Sequence, residues 1–231
     1  MARHTSPRCY FNFRSPYSWL ALHDLTTYHG DLVQRLDWRP FWDPSVESLA
    51  LLAAAGGRFV YTPMSREKHF YVLADVRRLA TERGLRVTWP IDRAPRWELA
   101  HLAYSVAARS GVGTAYAMAI SRARWEHGRD ISDAATVVEI GADVGMDPAR
   151  IVRLADDPAA AEHGTAMLMD AYRDGVFGVP FFINGREKFW GVDRLDAFVK
   201  TVRSGGPTAP EPVPETVATA AGDDGHAGGC G

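Results

Sequence analysis

Apolar positions along this 231-residue chain follow two different periods. Short apolar and aromatic runs at 9–13, at about 33–41 and on either side of Asn184-Gly185 have the length and composition of strands. Residues 16–29 and nearly all of 45–174 repeat at helical spacing instead. The helical segments predicted in that long stretch are 45–55, 64–84, 96–109, 112–126, 132–145 and 158–174. A last helix is predicted at about 193–203.

The order of these elements predicts the fold. Strand, helix and parallel strand come first, and a hairpin with a helix comes last. We therefore expect an α/β thioredoxin fold with a large all-helical insertion between the second strand and the strand that opens after Val179-Pro180. The predicted boundaries are 8–42 and 175–204 for the thioredoxin-like domain and 43–174 for the insertion. Residues 205–231, rich in Pro, Ala, Gly and Thr, are expected to form a disordered tail.

Composition narrows the function classes. A net charge of −2 provides no general attraction to nucleic acid or anionic membranes, so neither is expected as a partner. The N-terminus lacks the apolar core of a signal peptide, and no apolar run is long enough to span a bilayer. We therefore expect a cytoplasmic protein. Cys9 and Cys230 have neither disulfide nor metal-ligand spacing, so no metal is expected.

The residues that carry the chemistry follow the first strand, where the chain reads Arg14-Ser15-Pro16-Tyr17-Ser18. Redox members of the fold have Cys-x-x-Cys at the four positions that read Ser-Pro-Tyr-Ser here. The helix N-terminus that favours a thiolate remains while the protein thiol is absent, so any thiol chemistry needs a ligand sulfur. Ser15 is the candidate donor to that sulfur, with simple helix capping as the alternative. Ser18 is expected to be structural.

Two later segments complete the candidate site. If the Val179-Pro180 peptide bond is cis, the backbone N–H and C=O of Val179 face outward and can pair with a peptide-like ligand. Asp193 and Arg194 precede the last helix, where an ammonium and a carboxylate of an amino-acid head group can bind. Asp193 as a plain N-cap is the alternative.

Large aromatic side chains are candidates for the substrate surface. We single out Tyr17, Trp42, Tyr61 and Trp89 for this role, with core packing as the alternative for most aromatic residues. Arg39, Arg66 and Lys68 are candidates to receive an acidic substrate group, and solvated surface charge is the alternative for each.

The chain resembles the 2-hydroxychromene-2-carboxylate isomerase family, a relative of kappa-class glutathione transferases in the DsbA-like thioredoxin superfamily. The matching segments are Tyr10 to Ser18, Arg39-Pro40-Phe41, Lys68 to Tyr71 with Asp75, Gly128 to Ser132, Gly175 to Pro180, and Phe189 to Leu195. The resemblance implies a cofactor, glutathione or another low-molecular-weight thiol. It implies that Ser15 holds the thiolate, Val179 beside cis-Pro180 the cysteinyl part, and Asp193 with Arg194 the γ-glutamyl end. Lys68 joins this cofactor-binding set.

The resulting hypothesis is a thiol-dependent cis–trans isomerase of a conjugated aromatic or polyene small molecule, working by reversible thiolate conjugate addition. A glutathione-type S-transferase would use the same site and stop after addition. A DsbA-like oxidoreductase and a non-catalytic binding protein are further alternatives, the first of which needs a reactive cysteine. A homodimer is an open option.

Overall fold

The computed structural model describes residues 6–61, 64–92 and 95–205. It contains four strands, β1 (Arg8–Phe11), β2 (Asp37–Pro40), β3 (Phe181–Asn184) and β4 (Glu187–Trp190). The helices are α1 (Pro16–Tyr28), α2 (Gly30–Val33), α3 (Val46–Ala54), α4 (Arg66–Glu82), α5 (Glu98–Arg109), α6 (Gly113–Trp125), α7 (Ala134–Asp143), α8 (Pro148–Arg153), α9 (Pro158–Asp174) and α10 (Leu195–Arg203). A 3-10 turn, Val192–Arg194, precedes α10.

The strands form one mixed sheet in the order β2-β1-β3-β4. Strand β1 pairs with β2 in parallel and with β3 antiparallel, and β3 and β4 form the predicted hairpin. This arrangement confirms the thioredoxin topology. Because Asn184 pairs with Glu187, the two turn residues are Gly185 and Arg186, one position later than predicted. Gly185 adopts the left-handed φ of 62° that such a turn requires.

Side chains from the two faces of the sheet enter two hydrophobic clusters. Cys9 and Phe182 point into the cluster formed with α1 and α10. Tyr10, Phe11 and Phe181 point into the other cluster, which they share with α5, α6 and α9. The helices α3–α9 lie between β2 and β3 in the chain, where the insertion was predicted, and several of them pack directly on the sheet. The domain boundaries themselves stay a prediction.

Two local predictions were wrong. The second strand does not begin at residue 33, because residues 30–33 form α2 and the Leu36 N–H donates to the Leu32 carbonyl at 3.1 Å. No helix was predicted between 145 and 158, but Asp147-Pro148 starts α8, with the Asp147 carboxylate accepting the Ala149 N–H at 2.9 Å. The predicted disordered tail, apart from Gly205, lies outside the described residues.

Candidate active site

The turn between β1 and α1 is held by short-range hydrogen bonds. The Ser15 N–H donates to the Asn12 carbonyl at 2.9 Å, and the Arg14 N–H donates to the Asn12 side-chain oxygen at 2.8 Å. Ser15 is the N-cap of α1: its hydroxyl accepts the Ser18 N–H at 3.2 Å, and Pro16 takes the first helical position. The Ser18 hydroxyl accepts the Asn12 N–H at 3.2 Å, in keeping with its expected structural role. The turn therefore fixes the position of Ser15.

The loop before β3 faces this turn. The Val179–Pro180 peptide bond is cis. The Ser15 hydroxyl donates to the Val179 carbonyl at 3.4 Å, a long hydrogen bond. The Val179 N–H has no hydrogen-bond partner among the described residues. Val179 thus presents its backbone beside the start of α1, whereas Pro180 itself is buried.

A cavity of about 770 Å³ opens at this junction. Its wall includes the start of α1, the loop at 177–179, the inner face of α4 and the segment after β2. Five sequence-predicted residues besides Ser15 line it: Tyr17, Tyr61, Lys68, Trp89 and Val179. The ring of Tyr61 stacks on Phe59, and Phe59 stacks on Phe41, so these three residues form one continuous aromatic wall of the cavity.

Tyr17 lines the cavity with its ring while its hydroxyl points elsewhere. That hydroxyl donates to the Asp75 carboxylate on α4 at 2.8 Å. Burial, followed by the hydrogen bond to Asp75, raises the pKa of Tyr17. The side chain therefore connects α1 to α4 and is a neutral surface toward the cavity.

The prediction that Trp42 contacts substrate is wrong, since this side chain is only 1% exposed and does not line the cavity. Its ring stacks on the buried His101 at 5.4 Å between centroids. Phe41 and Trp42 are both buried in the same core cluster, but only Phe41 also lines the cavity, because the ring of Trp42 packs against His101 instead.

Asp193 and Arg194 are exposed and lie outside the cavity wall. Their charged groups contact each other at 3.3 Å. The N-cap alternative for Asp193 was wrong, because α10 has Arg194 at its N-cap position and no side-chain cap. A role at the γ-glutamyl end of a thiol stays a proposal.

Of the basic residues predicted to receive an acidic group, the structure brings one to the cavity, Lys68. Arg39 belongs to an ionic network with Asp37 and Asp170 away from the cavity wall. Arg66 is exposed and lies over the Phe70 ring, also outside the wall.

Four charged side chains that the sequence prediction missed line the cavity as two ion pairs. Arg14 pairs with Asp43 at 2.9 Å, and Arg124 pairs with Asp92 through two bonds of 2.8 Å. Both guanidinium groups lie over the ring of Trp97, at 5.6 and 4.9 Å from its centroid. The position of Arg14 directly before Ser15 was a usable signal. Asp92 and Arg124 are too far apart in sequence to indicate a pair.

No helix in the described ranges combines the length and apolar character needed to cross a bilayer. The family model described as the DSBA-like thioredoxin domain matches residues 8–203 of this chain. A curated relative, 2-hydroxychromene-2-carboxylate isomerase of Sphingobium xenophagum, is 31% identical over 194 residues, covering 81% of this chain and 92% of the relative.

Solved structures agree on the fold. A structure of 2-hydroxychromene-2-carboxylate isomerase has a TM-score of 0.68 and 22% identity, covering 86% of this chain and 94% of that one. The cytosolic disulfide reductase DsbM from Pseudomonas aeruginosa with GSH has a TM-score of 0.52 and 20% identity, covering 86% and 98%. The chain belongs to the DsbA-like thioredoxin-domain family and, within it, to the family of 2-hydroxychromene-2-carboxylate isomerase.

Proposed function

We propose that this isomerase-family enzyme is a thiol-dependent cis–trans isomerase of a conjugated aromatic or polyene substrate. The observation that carries the proposal is the position of Ser15. Its hydroxyl lies at the start of α1, 3.4 Å from the Val179 carbonyl, at the wall of a cavity of about 770 Å³. The cavity size suits a small planar molecule together with part of a thiol.

The residues present fit glutathione or a similar thiol. The Ser15 hydroxyl makes only a long hydrogen bond to Val179, so its proton can turn toward a ligand sulfur at small cost. The Val179 N–H and C=O offer a donor and an acceptor side by side, as an extended peptide-like ligand requires. Lys68 also lines the cavity and adds a positive charge. Asp193 and Arg194 are proposed for the γ-glutamyl end.

The roles of the chain follow from these positions. When bound, a thiol would supply a sulfur nucleophile for reversible addition to an electron-poor double bond, and this addition would allow the double bond to change its geometry. Ser15 and the N-terminus of α1 stabilise negative charge at that sulfur. Val179 orients the thiol toward the cavity, and the stacked wall of Phe41, Phe59 and Tyr61 holds the planar substrate and excludes water.

The names of two similar proteins support the proposed reaction type. A relative that is 31% identical over most of the chain is named as an isomerase, and a neighbour of the same fold contains GSH. A glutathione-type S-transferase remains the second candidate because it would use the same site. Product analysis separates the two: an isomerase regenerates free thiol, whereas a transferase yields a stable adduct.

A redox function is disfavoured by the chemistry of the turn. The one cysteine among the described residues is Cys9, which is 1% exposed in β1, and burial raises its pKa. A DsbA-like oxidoreductase needs a reactive thiolate at the helix start, where this chain has Ser15 and Ser18.

Substitution of Ser15 by Ala tests the proposal. We expect loss of one charge-assisted hydrogen bond to the thiolate, on the order of 1.5–3 kcal/mol in thiol affinity. The pKa of bound glutathione, followed by thiolate absorbance in the ultraviolet, should lie below its value in water for the wild type and return toward it in the variant.

The matched control is Ser45→Ala, because Ser45 caps α3 through the same 3.2 Å bond and does not line the cavity. Both variants should lose about 1 kcal/mol of unfolding free energy. Only Ser15→Ala should weaken thiol binding and slow isomerisation of 2-hydroxychromene-2-carboxylate. A wild-type enzyme that isomerises equally well without thiol would overturn the proposal.

A further inference from the structure

The two ion pairs on the cavity wall differ in how open they are. The Arg124 side chain is buried, with 2% of it exposed. Both of its terminal nitrogens bond the Asp92 carboxylate, and the guanidinium lies over the rings of Trp97 and Trp125. The Asp92 side chain is 26% exposed, but separating the two groups would leave the buried Arg124 guanidinium without its carboxylate partner, which is strongly unfavourable. Arg124 and Asp92 therefore form a fixed part of the cavity wall.

Arg14, the cation of the other ion pair, is more accessible to a ligand. Its side chain is 41% exposed and that of Asp43 is 25% exposed, with one contact of 2.9 Å between a terminal nitrogen and a single carboxylate oxygen. Among the described residues Asp43 is its one carboxylate partner within salt-bridge distance. A partly exposed ion pair with a single contact contributes little free energy, so an incoming carboxylate can replace Asp43. The planar guanidinium can then bond that carboxylate through two N–H groups.

The charge balance of the cavity favours an anion. The described residues that line it include the cations Arg14, Lys68 and Arg124 and the anions Asp43 and Asp92, an excess of one positive charge. Asp92 is already engaged by Arg124. Arg14 precedes Ser15 in the chain, so an acid held there lies in the same cavity as the proposed reaction centre.

We propose that Arg14 determines specificity for acidic substrates by binding the carboxylate of a planar conjugated acid, with Asp43 occupying the guanidinium until the substrate enters. The aromatic wall of Phe41, Phe59 and Tyr61 lies along the same cavity and receives the conjugated part of the molecule. That the bound acid is a substrate rests on the proposed function, whereas binding of the acid at Arg14 does not require a thiol.

The test uses trans-cinnamate as the acid probe and cinnamamide as its neutral match, titrated by calorimetry in the absence of any thiol. Arg14→Gln should weaken cinnamate at least tenfold, about 1.4 kcal/mol, and change cinnamamide less than twofold. Asp43→Asn should strengthen cinnamate several-fold, since the competing carboxylate is gone. The charge-matched control Arg66→Gln removes a cation outside the cavity and should leave both affinities within twofold.

The two substitutions are expected to change cinnamate affinity in opposite directions, so either variant alone can overturn the proposal if the other folds poorly. Equal loss of acid and amide binding in Arg14→Gln, or weaker cinnamate binding in Asp43→Asn, would overturn it. Glutathione has carboxylates of its own, so the titration is repeated with saturating glutathione. Competition between glutathione and cinnamate that is lost in Arg14→Gln would assign Arg14 to the thiol and refute the substrate role. Failure of thiol binding alone refutes the proposed function and leaves this measurement intact.

Discussion

The buried imidazole of His101 holds the backbone of Phe13, two residues before Ser15. Its Nε2 accepts the Phe13 N–H at 3.0 Å, so the ring proton resides on Nδ1, which donates to the Trp97 carbonyl at 2.6 Å. The Phe13 carbonyl is held as well, by the indole N–H of Trp125 at 3.0 Å. Side chains from α5 and α6 thus fix the strand end from which the active-site turn starts.

The burial of His101 makes stability depend on pH. Burial lowers the pKa of His101 to about 4, whereas an unfolded histidine titrates near its ordinary value of about 6.5. The unfolded state therefore binds more protons between these values, and stability falls as pH drops from about 6.5 to 4, by about 3 kcal/mol in total. Above pH 6.5 this contribution is fully retained.

Chemical denaturation across this pH range measures the effect. We expect His101→Gln to be less stable at neutral pH and its unfolding free energy to lose this part of the pH dependence. An identical slope in wild type and variant between pH 6.5 and 4 would show that other groups cause the change.

The loop at Gly178 leaves no space for a side chain. A Cβ built there would lie 2.7 Å from Nε1 of Trp190, a rigid ring. We expect Gly178→Ala to displace the indole or the 178–180 loop, reduce stability by roughly 1–3 kcal/mol and weaken thiol binding. Thermal denaturation and glutathione titration check both effects.

Two further variants make this test specific. Gly30→Ala meets nothing within 4 Å at the start of α2 and should be nearly neutral. Trp190 Nε1 has no hydrogen-bond partner among the described residues, so Trp190→Phe removes no hydrogen bond there. Adding it to Gly178→Ala should recover stability, and no recovery would contradict the proposed clash.

The Tyr17 hydroxyl links α1 to α4 by its 2.8 Å bond to Asp75. Tyr17→Phe removes this bond and leaves Asp75 with Arg78 at the surface, so we expect a loss of about 1 kcal/mol in unfolding free energy. Tyr28→Phe on the same helix is the control, because Tyr28 is 62% exposed. Equal stability changes in both variants, measured by urea denaturation, would show that the link contributes nothing.

Disulfide chemistry should be negligible. Cys9 is buried with a raised pKa, so little thiolate is available to react. In an insulin-reduction assay with dithiothreitol, wild type should not exceed the blank. In a Cys230→Ser background, Ellman's reagent should label Cys9 slowly in native protein and quickly in denaturant. Thioredoxin-like turnover that disappears in Cys9→Ser would reverse this conclusion.

The sequence by itself determined the features that depend on neighbours in the chain. The Ser15-Pro16 helix start, the hairpin after Val179-Pro180 and the helical block at 45–174 are local signals, because caps, turns and periodicity involve residues only a few positions apart. Together with the order of elements they were enough to predict the thioredoxin fold. They also indicated Lys68, Tyr61 and Trp89, which line the cavity.

The tertiary structure alone decided which distant side chains meet. Phe41 and Trp42 are neighbouring buried aromatic residues, yet only the packing after β2 decides that Phe41 lines the cavity and Trp42 does not. Arg124 and Asp92 pair across 32 positions, and His101 meets Phe13 across 88. Such contacts follow from how helices pack on the sheet, which local periodicity does not specify. The arrangement of charges in the cavity, and with it the role inferred for Arg14, likewise depends on contacts between residues that are distant in sequence.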